Sequence, residues 1–201
     1  MSAKSLPPRP SRRGVIGAAG ALAATALLPV LSGCGSSTAD RYESGYVSGD
    51  GVTTEIPAAE RTDPLDISGT TFDDEDFSSG DQHGEVLVVN VWYASCPPCR
   101  TEAPDLQAIH EDYAEQGVAF VGVNVRDTAG PARAFEETYG ITYPSLPDPD
   151  AEIMYEMRGQ VAPNAVPSTL VLDREGRVAA RISGAADPST LRAMIDTVLA
   201  E

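Results

Sequence analysis

The chain has 201 residues, room for one domain of roughly 100–150 residues with flanking segments. Thirty acidic against 14 basic residues give a formal net charge of −16, which argues against a nucleic-acid binder and against electrostatic adhesion to anionic lipid. The first 33 residues hold four of the basic residues and no acidic one, so the rest carries ten arginines, no lysine and a net charge of −20.

Lys4, Arg9, Arg12 and Arg13, then an Ala/Gly/Leu-rich stretch over residues 15–31, read as an export signal spanning residues 1–33. Its end, Leu31-Ser32-Gly33-Cys34, resembles a lipobox, which implies a lipid on Cys34 and a membrane anchor there. Ordinary cleavage nearby, or retention of the stretch as an anchor, are the competing readings. Ser11-Arg12-Arg13-Gly14-Val15-Ile16 also resembles a twin-arginine signal, but a plain basic leader looks the same, so the export route stays open. Residues 34–62, rich in Ser, Gly, Thr and Asp, read as a flexible tether in which Tyr42, Tyr46, Val47 and Ile56 would let a part dock as an extended strand.

The folded domain is expected over residues 63–201 and to be α/β. Residues 65–69 and 71–72 suggest a short hairpin, and 76–80 a turn or one helical turn. The run Val86-Leu87-Val88-Val89-Asn90-Val91-Trp92 is apolar on both faces, as a buried strand of a parallel pair should be. A helix over 97–116 should stop at Gly117, followed by a second buried strand over 118–125 and a helix over 129–139 ended by Gly140. A short strand over 143–146, a loop or short helix over 150–159, a hairpin of 169–173 with 177–182, and a helix over 188–199 complete the chain. The elements alternate as they would around one mixed sheet flanked by helices.

Between the first buried strand and the first long helix lies Cys96-Pro97-Pro98-Cys99. Two intervening residues place the sulfurs one helical turn apart, and a helix N-terminus offers unpaired N–H groups that stabilise the first sulfur as thiolate. With Cys34 assigned to the leader, this pair is left alone. Its loop is too short to constrain the unfolded chain much, so a redox role accounts for it better than a structural one. A zinc site would need a second Cys-x-x-Cys or spaced histidines, and His83 and His110, the only two, show no ligand spacing. His110 is expected to be solvated on its helix.

Trp92 four residues before Cys96, the Cys-x-x-Cys-Arg run, and Val166-Pro167-Ser168-Thr169 entering a late strand together resemble the thioredoxin fold. The anchored N-terminus, Asn90 where thioredoxin has a buried aspartate, and Glu102 in Cys-Arg-Thr-Glu-Ala-Pro point to the TlpA/ResA-type branch of membrane-anchored thioredoxins. Residues 127–148 fit that branch's central insertion, and residues 63–201 are expected to form a thioredoxin-like domain with an N-terminal β extension. Many members carry Trp directly before the first cysteine; Ser95 stands there instead, which bears on substrate preference.

Cys96 is expected to attack and Cys99 to resolve, with Cys96 the more exposed of the two. Glu102 lies one turn beyond Cys99 on the same helix face. Spacing alone leaves it an exposed glutamate, whereas the resemblance makes it the group that relays the proton of Cys99. Asn90, polar in an apolar strand, needs a hydrogen-bond partner and does not titrate. The resemblance implies that Pro167 is the cis-proline facing the cysteines and that the backbone of Val166 pairs with substrate; taken alone, Pro167 would be an ordinary trans proline opening a strand. Trp92 should combine core packing with a wall of the site, and Pro97 and Pro98 should stiffen the turn. The expected function is reduction of disulfides in exported proteins, apocytochrome c among them, by a monomer needing no cofactor beyond the Cys96–Cys99 disulfide and recharged by a membrane thiol donor. Net oxidation or isomerisation by the same pair stays open, and copper delivery, a binding lipoprotein whose cysteines are incidental, and peroxidase activity compete. The peroxidase pattern Pro-x-x-x-Thr-x-x-Cys is broken by Val89 and Tyr93.

Overall fold

The computed structural model describes residues 52–201; the export signal, Cys34 and residues 35–51 lie outside them. Val86–Trp92 (β4) is buried at every position, because helices and loops cover both faces of the sheet it occupies. It pairs in parallel with Val118–Asn124 (β5) and antiparallel with Ser168–Leu172 (β7). Ser145–Pro147 (β6) extends the sheet beyond β5, and Val178–Ser183 (β8) extends it beyond β7.

The outermost strand on the β8 side is Val52–Glu55 (β1), antiparallel to β8, so the sheet order is β1-β8-β7-β4-β5-β6. This strand lies inside the stretch read as tether, and the domain boundary therefore moves from residue 63 back to the start of β1. The physical reason is Arg61. Its guanidinium donates to the Ile56 carbonyl at 3.0 Å, to Asp173 Oδ2 at 2.9 Å and to Glu201 at 2.6 Å, clamping the segment onto the domain.

Ser68–Thr70 (β2) pairs with Asp76–Ser78 (β3), so the early hairpin is wider than expected and residues 76–78 are strand, while the expected helical turn is the 3₁₀ turn Ser79–Gln82. Thr71 Oγ1 accepts from the backbone N–H groups of Asp73 and Glu75, an ST-turn that holds the loop open. Ser79 then fastens Ile67 by exchanging hydrogen bonds with its backbone.

Pro97–Tyr113 (α1) continues as a 3₁₀ turn, Ala114–Gln116, and stops at Gly117, whose φ of 77° suits a residue without Cβ. Ala129–Tyr139 (α2) and Pro188–Leu199 (α4) occupy their expected residues, and Glu152–Glu156 (α3) is the short helix of the 150–159 loop. Asp187 caps α4 by accepting from Thr190 N–H at 2.9 Å.

The strand period of two divides β4 between two cores. Val86 and Val88 pack with Leu106 and Ile109 of α1 and Leu191 and Ile195 of α4. Leu87, Val89 and Val91 pack on the opposite face with Ile67, Met157 and Leu170. Asn90 shares the parity of Val86 and Val88, which aims its amide at α1. His110 is not solvated on the helix. It follows Leu106 by four and precedes Tyr113 by three, so it borders the buried stripe and is half-buried, with its ring centroid 5.3 Å from Phe120 and 5.5 Å from Tyr143. Its Nδ1 has no hydrogen-bond partner among the described residues, and burial pushes its pKa down.

Candidate active site

Cys96 is the N-cap of α1, and Pro97 and Pro98 fill the first helical positions. Proline is tolerated there because those N–H groups would have no intrahelical partner. A consequence follows for the sulfur. Cys99 N–H is the first donor the helix has to offer, and it donates to Cys96 Sγ at 3.3 Å. The two cysteines form a disulfide with Cα atoms 5.3 Å apart.

Cys96 is not the more exposed of the pair: both residues are 1 % exposed. They differ in their neighbours instead. Cys96 borders an open groove of about 370 Å³, and Cys99 does not. Tyr93, Pro97 and Pro98 flank Cys96 in that groove, Arg126 stands on its rim, and residues 164–167 and 184–185 form the facing wall. The Val166–Pro167 bond in that wall is cis. Gly184 N–H donates to the Pro167 carbonyl at 2.9 Å and joins the loop to the end of β8.

Glu102 is 2 % exposed. Counting along α1, the buried positions are 99, 102, 103, 106, 107, 109 and 113, so Glu102 belongs to the buried stripe and the exposed reading that spacing suggested was the wrong one. Asn90 Nδ2 donates to Glu102 Oε1 at 2.9 Å and to Thr169 Oγ1 at 3.2 Å, and Ala186 N–H donates to Glu102 Oε2 at 2.7 Å. Burial raises the carboxyl to about 7, against the two hydrogen bonds, which favour the ionised form. A carboxyl that changes protonation near neutral pH therefore sits one helical turn from Cys99.

Trp92 lies under the disulfide and not in the groove. It is buried with Phe72, Cys96, Cys99 and Ala103, and its ring centroid is 4.4 Å from that of Phe135. The aromatic on the groove is the next residue, Tyr93. Gly122 of β5, which pairs with Asn90, lies beside the indole: an added Cβ there would come within 2.7 Å of Trp92 Nε1 and 2.5 Å of Ser145 Oγ. Close packing beneath the disulfide accounts for that glycine.

Four residues near the site were not singled out from the sequence. The guanidinium carbon of Arg126 lies 4.1 Å from the Tyr93 ring centroid. Asn124 Oδ1 accepts from the backbone N–H groups of Arg126 and Asp127, at 3.1 and 2.8 Å. Asp127 Oδ2 accepts from Asn124 Nδ2 at 2.9 Å and from Ala94 N–H at 2.6 Å. The signal was an Asn at the end of a buried strand with an Asp three residues later, an Asx-type turn. Among the described residues no three His, Cys, Asp or Glu side chains converge to hold a metal ion.

A mixed sheet with a Cys-x-x-Cys disulfide at a helix N-terminus, faced by a cis-proline loop, defines a thiol–disulfide oxidoreductase of thioredoxin-like fold. The model of the AhpC/TSA family matches residues 55–181. The thiol:disulfide interchange protein HelX of Rhodobacter capsulatus is 33% identical over 146 residues, which is 73% of this chain and 76% of HelX. The thiol-disulfide oxidoreductase ResA of Geobacillus kaustophilus is 30% identical over 104 residues, 52% of this chain and 58% of ResA. Among solved structures, a secreted thiol-disulfide isomerase of Corynebacterium glutamicum superposes with a TM-score of 0.70 at 30% identity, covering 78% of this chain and 97% of that one. The chain belongs to the AhpC/TSA family and, within it, to the ResA-like thiol–disulfide oxidoreductases.

Proposed function

We propose that this chain is a lipid-anchored reductase of disulfides in exported proteins, held by Cys34 at the extracytoplasmic face of a bacterial membrane. The observation that carries the reading is the asymmetry of the pair: Cys96 borders the groove, while Cys99 lies away from it, one turn from the buried Glu102. In the reduced protein the Cys96 thiolate attacks one sulfur of a substrate disulfide lying along Val166–Pro167. A Cys96–substrate bond forms, and the other substrate sulfur leaves as thiolate. Glu102, ionised, takes the proton of Cys99, whose sulfur attacks Cys96 Sγ. The substrate leaves with both its sulfurs reduced, two electrons have moved, and the Cys96–Cys99 disulfide remains. Asn90 and the Ala186 N–H keep the carboxylate aimed along the helix during this step.

A membrane thiol donor returns the pair to the reduced state. The export signal and lipobox support the location, as does the likeness to a structure described as secreted. Apocytochrome c is the substrate class we favour, since haem attachment needs its thiols reduced in an oxidising compartment, and the protein works as a monomer. The test is a trap. Cys99→Ser in the native host should leave exported proteins disulfide-linked to Cys96, and Cys96→Ser/Cys99→Ser should leave none. An empty trap beside a working control overturns the reading.

A further inference from the structure

Resting on the reductase reading, we propose that Arg126, stacked on Tyr93, selects substrates that carry an acidic side chain next to the reacting cysteine. Arg126 is the one charged residue of the groove lining, on a chain whose part beyond the leader has a net charge of −20. Five of the ten arginines beyond the leader, Arg61, Arg133, Arg158, Arg177 and Arg192, have a carboxylate partner; Arg126 makes no ion pair among the described residues. A cation without an ion-pair partner among the described residues, in the groove that Cys96 borders, is available to a partner.

The pair is also held in place from behind. Buried Asn124 fixes the backbone of Arg126 and Asp127, and Asp127 fixes Ala94, the residue after Tyr93. One network therefore sets both halves of the stack before substrate arrives, which lowers the ordering cost of binding. With its carbon 4.1 Å over the Tyr93 ring and no side-chain hydrogen bond among the described residues, the guanidinium keeps its N–H donors for a ligand, and that fork matches a carboxylate. The rest of the groove, made of proline, alanine, valine and glycine with Asn164, offers no second charge, so the preference depends on Arg126 alone. A like-charged partner surface would otherwise be repelled by this acidic protein; Arg126 admits an acidic segment at one spot.

The test uses the reduced protein and three peptide disulfides, homodimers of a capped cysteine peptide with Glu, Gln or Lys beside the cysteine, followed by release of peptide thiol. We expect the Glu peptide to react about three- to fivefold faster than the Gln peptide at low salt, with Lys slowest. That ratio should shrink toward one as ionic strength rises to 0.5 M, because screening shortens the range of the charge. It should also collapse in Arg126→Gln but persist in Arg192→Gln, a charge removed at α4. Equal rates for Glu and Gln peptides, or a preference that survives Arg126→Gln, overturn this inference and leave the reductase reading standing. Failure to reduce any of the three peptides overturns both.

Discussion

Replacing Glu102 by Gln should change how stability depends on pH, by an amount the buried carboxyl dictates. In the folded chain its pKa is about 7 rather than the ordinary 4.5, because burial disfavours the ionised form. Between those values the folded state binds the proton more tightly than the unfolded state does. The unfolded state thus holds fewer protons, and stability falls as pH rises from about 4.5 through 7, then levels off. Taken from pH 5 to pH 8, that loss is about 2.5 kcal/mol for this one group. Glu102→Gln cannot titrate and escapes it. The amide still meets two donors, Asn90 Nδ2 and Ala186 N–H, where a carboxylate offers two acceptors, so the variant carries a fixed penalty of about 1–3 kcal/mol at every pH. The informative quantity is therefore the difference between variant and wild type at the two pH values, in which the fixed penalty and every other titration cancel. Urea unfolding of the oxidised proteins supplies it, since the disulfide keeps both cysteines from titrating. The stability of Glu102→Gln relative to wild type should rise by about 2.5 kcal/mol from pH 5 to pH 8. A difference that stays constant to within about 0.5 kcal/mol would show that Glu102 does not titrate in this range, and the proton-relay role would fall with it.

Alkylation of the reduced protein should modify Cys96 before Cys99 at neutral pH, with the Cys96 rate titrating below the usual thiol value of about 8.5; mass spectrometry reads the site, and earlier modification of Cys99 would reverse the assigned roles. Gly122→Ala should destabilise the fold by about 1–3 kcal/mol, because its methyl group collides with Trp92 and Ser145; an unchanged thermal melting temperature would refute the account of that glycine.

Much of the domain was legible along the chain because its signals are local. The ends of α1, α2 and α4 follow from prolines, glycines and one aspartate acting within a turn, and the buried strands follow from seven-residue runs with one polar interruption. Where the local signal was weak, the reading slipped. Residues 52–55 carry little apolar character of their own, and they become strand only because β8 offers an unpaired edge and Arg61 finds Asp173 and Glu201 more than a hundred residues away. His110 shows the opposite failure: its polarity suggested solvent, but its helical phase, shared with Leu106 and Tyr113, put it among aromatic rings.

The site divides along the same line. Residue order by itself determined that two cysteines sit one turn apart at the start of a helix after a buried strand, which is enough to define thiol–disulfide chemistry, since that arrangement depends only on short-range geometry. Tertiary structure decided the rest. Which sulfur meets the groove, why Glu102 is lifted to about 7, and how Arg126 comes to lie on Tyr93 all depend on segments far apart in the chain: Asn90 with Glu102 and Thr169, Asp127 with Ala94, Pro167 opposite Cys96. Burial and electric field at a point are sums over everything packed around it, and no stretch of sequence contains that sum.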